Sequence, residues 1–400
     1  MNYTFEKNKL YDYLGKHVVD AFKRHEVYVA GGAITSLFTN REINDIDVYF
    51  RNEDSLVEFI EEAWEDSDWV NALTKKSIMI TMGKERNVQL IHFKYFSEAS
   101  DIFNAFDFTA CMGAFDFKTE DFVLHDNFLK DNAQRMLRFN KNTAFPIVSL
   151  LRVQKYKEKG YTISKPEFIR IALKCMDLQI KDAEDLKEHL GGMYGINYDK
   201  MIQFEEGEEF SLDKVIDKIA DLSLHEDYFK KPEEVKFECV EDIIKEISKE
   251  PVQITQINGY DYRLTRKGTL RHISDLPKKY TEFDGKTYIE NKRFYKFVNG
   301  VGDGKYSSHF DSDFIYKIGE FAIPKNDYLY FNEQKEINES NYRYQGKLIE
   351  VVIPYEHFDH KEDAKVHAKK CFVVREVPRE EYMNWIQNDD DKCETLKPIF

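Results

Sequence analysis

The sequence predicts an α/β (α+β) head on a mixed sheet, then a helical middle region and a β-rich C-terminal domain. Three observations carry this. Residues 27–50 read as strand, glycine turn, short helix, loop and second strand. From 146 to about 250, apolar residues recur at three- and four-residue spacing, the mark of helices. Beyond Pro251 the pattern turns to alternation, and Gly259, Gly268, Gly285, Gly300, Gly302 and Gly304 mark turns. The boundaries implied are 1–145 for the head, 146–250 for the helical domain and 251–400 for the β-rich domain.

In chain order, residues 3–25 read as one helix with Leu10, Tyr13, Leu14, Val18 and Phe22 at helical spacing. Val27–Ala30 is a strand, Gly31–Gly32 a turn, Ala33–Phe38 a short amphipathic helix, and a second strand carries Asp45 and Asp47. Asp54 is placed to cap a helix over Ser55–Glu65. Ile78–Met82, Val88–Tyr95, Asp107–Phe117 and Phe122–Leu124 read as strands, with a hairpin between Phe115 and Phe122. Helices are expected over Pro146–Lys159, Lys165–Asp177, Ile180–Leu190, Leu212–Leu222 and Val240–Ile247. A glycine loop (191–195) and an acidic connector (205–209) interrupt them. In the last domain Thr287–Glu290 and Lys347–Ile353 read as strands and Asn299–Gly304 as a hairpin loop, while 388–392 reads as a flexible tail. His309, His357, His360 and His367 lack metal-ligand spacing along the chain and receive no role.

Composition bounds the function. With 400 residues at 42% hydrophobic content, the chain can fill two or three cores. No apolar run reaches membrane length, and the first residues lack the apolar stretch of a secretory signal. Five cysteines, odd in number and widely spaced, suit neither a disulfide framework nor a metal clip, so a cytoplasmic setting is expected. The net charge of −15 argues against a chain that is basic throughout for nucleic acid. The charge is uneven, however. Residues 181–250 hold 10 lysines against 21 acids, read as a solvated helical face. Residues 251–305 hold 11 basic residues against 6 acids, with tyrosines and phenylalanines interleaved. That mixture suits either a phosphate-tracking, base-stacking surface or an ordinary β domain with lysine on its strand edges.

The stretch around residues 31–47 carries the chemistry. Strand side chains alternate faces, so Asp45 and Asp47 point the same way. Two carboxylates beside a glycine turn can hold Mg²⁺ over a phosphate. Gly31 and Gly32 lack a Cβ, so backbone N–H groups there can approach phosphate oxygens. A GG turn or a D-x-D pair alone is common. Their succession in strand–GG–helix–loop–strand order is the specific signal.

This arrangement resembles the nucleotidyltransferase superfamily that includes DNA polymerase β, and within it the head domain of poly(A) polymerases and CCA-adding enzymes. Gly31, Gly32, Asp45 and Asp47 match its GG…D-x-D pattern. Asp107-Phe108-Thr109 resembles its DFT segment, Gln134–Arg138 the following arginine segment, and Pro146–Tyr161 the helix that closes the head. The resemblance covers residues 20 to 165, and phage-encoded members are closest in style. It implies Mg²⁺-dependent transfer of NMP from an NTP to a hydroxyl, with RNA (a tRNA or RNA 3′ end) as the expected acceptor. Asp45 and Asp47 would hold the metal, with Asp107 as the further catalytic acid. Gly31, Gly32, Ser36, Arg135, Arg138, Arg152 and Lys155 would meet the nucleotide, although each cation alone equally suits a helix surface. Three positions depart from the pattern. Gln89 stands where a third carboxylate is aligned, Phe106 replaces the arginine before DFT, and Ala110-Cys111 replaces an Asn-Ala pair. They keep open an inactive head that only binds, and the net charge of −15 keeps open a transferase acting on a protein or small molecule.

Overall fold

The computed structural model describes residues 3–65, 69–73, 77–82, 86–143, 145–182, 239–248, 250–274, 279–325, 328–340 and 346–385, with isolated positions between these spans. The elements expected over 180–190, 191–195, 205–209, 212–222 and 388–392 lie largely or wholly outside the described residues. The chain forms two compact units, Met1–Ile247 and Ser248–Phe400.

The first unit opens with α1 (Thr4–Leu14) and α2 (Lys16–Arg24) rather than one helix. Gly15 separates them at φ +82°, a conformation that ends a right-handed helix and that glycine adopts without strain. Leu10, Leu14, Val18 and Phe22 are buried, as their spacing predicts. Then come β1 (Tyr28–Ala30), α3 (Gly32–Phe38), β2 (Ile46–Tyr49) and α4 (Glu53–Glu65). Asn52, not Asp54, caps α4: its Oδ1 accepts from the Ser55 N–H at 2.8 Å.

Strands β3 (Trp69–Leu73), β4 (Ser77–Met82) and β5 (Arg86–Ile91) follow. The strand expected from Asp107 begins only at Gly113, because Thr109–Cys111 tightens into a 3₁₀ turn. Strands β6 (Gly113–Asp116) and β7 (Asp121–Leu124) form the expected hairpin, with Phe115 opposite Phe122. Next are α5 (Phe128–Gln134), β8 (Met136–Leu137), α6 (Pro146–Glu158), β9 (Thr162–Ile163) and α7 (Lys165–Met176). Pro146 opens α6, where its missing N–H leaves no bond unmade.

The seven-stranded sheet runs β3-β4-β5-β2-β1-β6-β7, with β2 and β5 parallel and its other pairs antiparallel. Helices α6 and α7 pack into the same core as this sheet. Val153, Tyr156 and Ile171 share a buried cluster with Tyr28, Tyr49, Phe106 and Phe108. The Phe108 and Tyr156 rings meet edge to face at 5.7 Å. Burying each such side chain contributes about 1.5–3 kcal/mol, enough to fix which face of α6 looks toward β2.

The second unit is β-rich, as its alternation predicts. It holds a four-stranded sheet around Val252–Ile257 and a nine-stranded sheet from Phe294 to Val377. Lys347–Val352 is a strand, and Phe294–Gly302 turns into Lys305–Ser307 where the hairpin loop is expected. Thr287–Glu290 is helical instead, within Gly285–Asn291. Asp284 explains the difference, since its carboxylate accepts from the N–H groups of Lys286 and Thr287 at 3.0 and 3.2 Å. Cys111, Cys175, Cys239 and Cys371 are free. Among the described residues no helix is long and apolar enough to cross a membrane.

Candidate active site

Gly31 sits between β1 and α3 at φ +81°. A Cβ there would meet the Phe106 ring at 3.2 Å and Asp47 Oδ2 at 3.7 Å. Phe106, at the position aligned with an arginine, therefore closes down on the turn and holds it in place. The Gly31 N–H is spent on the Gly113 carbonyl at 3.0 Å. The backbone donors left to face an anion are those of the first turn of α3, beginning at the exposed Gly32. Thr35 Oγ1 reaches both the Gly31 and Ala110 carbonyls (3.1 and 2.9 Å), fastening α3 to the 3₁₀ turn. Ser36 is half-buried on α3, and its carbonyl accepts the Arg41 N–H.

Asp45 directly precedes β2 and is exposed, and Asp47 lies within β2 between Ala30 of β1 and Gln89 of β5. Burial and the neighbouring Asp45 charge push the Asp47 pKa up to about 7, against the pull of Arg152 and Lys155. Gln89, abreast of Asp47, is buried and donates from Nε2 to Ser77 Oγ at 2.7 Å. The donor set beside the turn is thus two carboxylates and a neutral amide.

Helix α6 brings the positive charge. Arg152 Nη1 donates to Asp107 Oδ1 at 2.8 Å, and its guanidinium also acts on Asp47. Asp107 is buried, and its Oδ2 has no hydrogen-bond partner. Burial raises its pKa although Arg152 draws it down. Arg152 further donates to the Tyr156 hydroxyl at 3.2 Å, and that hydroxyl meets Cys111 Sγ at 2.6 Å. Burial lowers the pKa of both Lys155 and Lys159, repulsion from Arg152 adds to it in each and from Lys159 at Lys155, and Asp45 opposes in each case. Arg41 adds to the crowding at Lys159 and donates to the Lys159 carbonyl.

The structure thus groups Asp45, Asp47, Arg152 and Lys155 around the Gly31 turn. Asp107 joins them only through Arg152. Arg135 and Arg138 have other neighbours: Arg135 lies over the Tyr161 ring at 5.2 Å, and Arg138 pairs with the fully buried Asp131 at 3.1 Å. Sequence reasoning missed Arg41 and Lys159. Lys159 follows Arg152 by seven residues, two helical turns, so helical spacing could have found it. Arg41 carries no such signal.

A model of the family "Gad2: Gabija anti-defense 2 family protein" matches residues 4–135. The protein "Gabija anti-defense 2" of Bacillus phage SPbetaL7 is 49% identical over 402 residues, spanning 98% of this chain and all of that one. Solved structures similar to about half of the chain include two CCA-adding enzymes. The Thermotoga maritima CCA-adding enzyme complexed with tRNA is 15% identical over 51% of this chain and 50% of its own, with a TM-score of 0.33. The Bacillus stearothermophilus CCA-adding enzyme in complex with CTP is 16% identical over 49% of each chain, at 0.34. The chain spans about half the length of both structures, a likeness too distant to carry an argument. The near-half identity along the whole length of the phage protein is decisive: this chain belongs to the Gabija anti-defense 2 family.

Proposed function

We propose that this chain is a Mg²⁺-dependent nucleotidyltransferase that acts against the Gabija defence. The observation that carries the proposal is the meeting of Asp45 and Asp47 with Arg152, Lys155 and Lys159 at the Gly31 turn. Like charges crowded on both sides of one site are relieved together by a metal–polyphosphate pair. Asp45 and Asp47 offer the hard oxygen ligands that suit Mg²⁺, and a cation bound there would favour the ionised form of Asp47, which burial and the Asp45 charge disfavour.

Bound Mg²⁺ would neutralise triphosphate oxygens and polarise the α-phosphorus. The α6 cations and Arg41 would take the remaining phosphate charge. The N–H groups of the first turn of α3, with Ser36, would hold one phosphate edge. An acceptor hydroxyl would then attack the α-phosphorus and give up its proton to water, the bond from phosphorus to the bridging oxygen would break, and pyrophosphate would leave. RNA is the first acceptor we expect. The relative's name supplies the purpose, a phage answer to Gabija.

The test is incubation with each α-labelled NTP, Mg²⁺ and extract of a Gabija-bearing host. Label should appear in RNA and vanish with Asp45→Ala plus Asp47→Ala. Unchanged labelling by the double variant would end the mechanism, and label on protein alone would move the acceptor. A second reading, a head that binds nucleotide without turnover, is favoured by Gln89 standing beside Asp47. Nucleotide binding by calorimetry without labelling of any acceptor would select it.

A further inference from the structure

In the second unit, strands Phe358–Glu362 and Lys365–Ala368 form an antiparallel hairpin with His360 directly opposite His367. Directly opposed residues share a face, and so do residues two apart on one strand. The hairpin therefore carries His360, His367 and Glu362 on one face, and their ligand atoms all lie within 4.8 Å of one another. The two histidines lie seven positions apart in sequence, a spacing without meaning until the register is known.

Two further observations point to a ligand there. His367 is 8% exposed, and neither of its ring nitrogens has a hydrogen-bond partner. A buried imidazole ordinarily satisfies at least one nitrogen. The second is the state of His360. The register slips between Phe358 and His360, leaving Asp359 as the extra residue of a bulge. The Asp359 carboxylate then receives His360 Nδ1 at 2.8 Å, while Lys369 Nζ holds the other Asp359 oxygen at 2.8 Å. A carboxylate on Nδ1 fixes the tautomer and leaves Nε2 with its lone pair free, the arrangement that orients a metal-binding histidine. The rings of Tyr328 and Tyr330 stand edge-on to His367 at 5.9 and 4.7 Å and wall one side.

We propose that His360, His367 and Glu362 form a site for a zinc-type divalent ion, with Asp359 as the carboxylate behind His360. Two imidazoles and one carboxylate are a donor set for Zn²⁺ or its neighbours rather than for Mg²⁺, which prefers oxygen alone. Three protein ligands leave a fourth tetrahedral position for water or an outside group. The site lies in a different compact unit from Asp45 and Asp47 and does not depend on the transferase reading.

The experiment titrates Co²⁺, then Zn²⁺, into the full chain held in excess Mg²⁺, which occupies oxygen-only sites. One equivalent of Co²⁺ should give the intense visible bands of tetrahedral coordination, and Zn²⁺ should displace it. Glu362→Gln, at an exposed position, and Asp359→Asn should each weaken binding about 10–100-fold. His367→Ala should abolish the bands. Absence of tetrahedral bands in the wild-type chain, or bands that survive Glu362→Gln and Asp359→Asn at full affinity, would overturn the site. These two variants leave the buried face untouched, so misfolding of His367→Ala does not decide the matter.

Discussion

Gly31 and Gly32 are adjacent in sequence and opposite in consequence. Gly31→Ala puts a Cβ at positive φ against Phe106, so a loss of about 1–3 kcal/mol is expected in urea unfolding. Gly32→Ala meets no atom within 4 Å and lies inside α3, where alanine is the better helix former by up to about 1 kcal/mol. Equal stabilities for the two variants would refute this account of the turn. The GG-to-D-x-D signal was legible because strand alternation and glycine chemistry are local properties. The partners of Asp107 were not. Its charge reads identically in sequence whether it holds a metal or an arginine, and only the packing of α6 on Phe108 brings Arg152 to it.

Helices α4 and α6 show what a single element delivers. Arg152 and Lys155 lie three residues apart on one face of α6, and Lys159, seven beyond Arg152, is the residue that caps the helix at that same side. Lys155→Glu should therefore weaken NTP binding by at least about tenfold in calorimetry, whereas Lys157→Glu, exposed on the same helix, should change it little. In α4, burial works against the Glu62 charge, but hydrogen bonds from His25 and Arg24 outweigh it and bring its pKa down to about 2. A depressed carboxylate stabilises the fold above its unfolded value of 4.5, and that contribution is lost as pH falls toward 2. Wild type should lose up to about 3 kcal/mol relative to Glu62→Gln between pH 5 and 2.5. Parallel pH profiles would count against the pairing. Element boundaries were less legible than element types. Gly15 splits an unbroken apolar pattern, and Asp284 makes a helix of residues whose Tyr288 and Ile289 look strand-like.

At the scale of the whole molecule, the two units carry two kinds of donor set, oxygen-only in the first and imidazole-rich in the second. Hydrogen exchange should separate them. Mg²⁺ with ATP should protect amides at 31–37 and 45–49 and leave 358–368 unchanged, and Zn²⁺ should do the reverse. Protection of both regions by either ligand would contradict the separation. The architecture after residue 251 was legible as β-rich, because alternation is visible without knowing partners. Which strand lies beside which was not, and the histidine pair stayed hidden for that reason.

The position of Gln89 beside Asp47 also sets a mutational distance. A glutamine codon becomes a glutamate codon by one base change, and the new carboxylate would stand in the row that already holds Asp47. Ser77, which now accepts from the Gln89 amide, can turn its hydroxyl to donate instead, so the replacement keeps its hydrogen bond. A population carrying this gene samples that variant by single point mutation, and Gln89→Glu grown against a Gabija-bearing host reads directly whether the amide is an accident or a setting under selection.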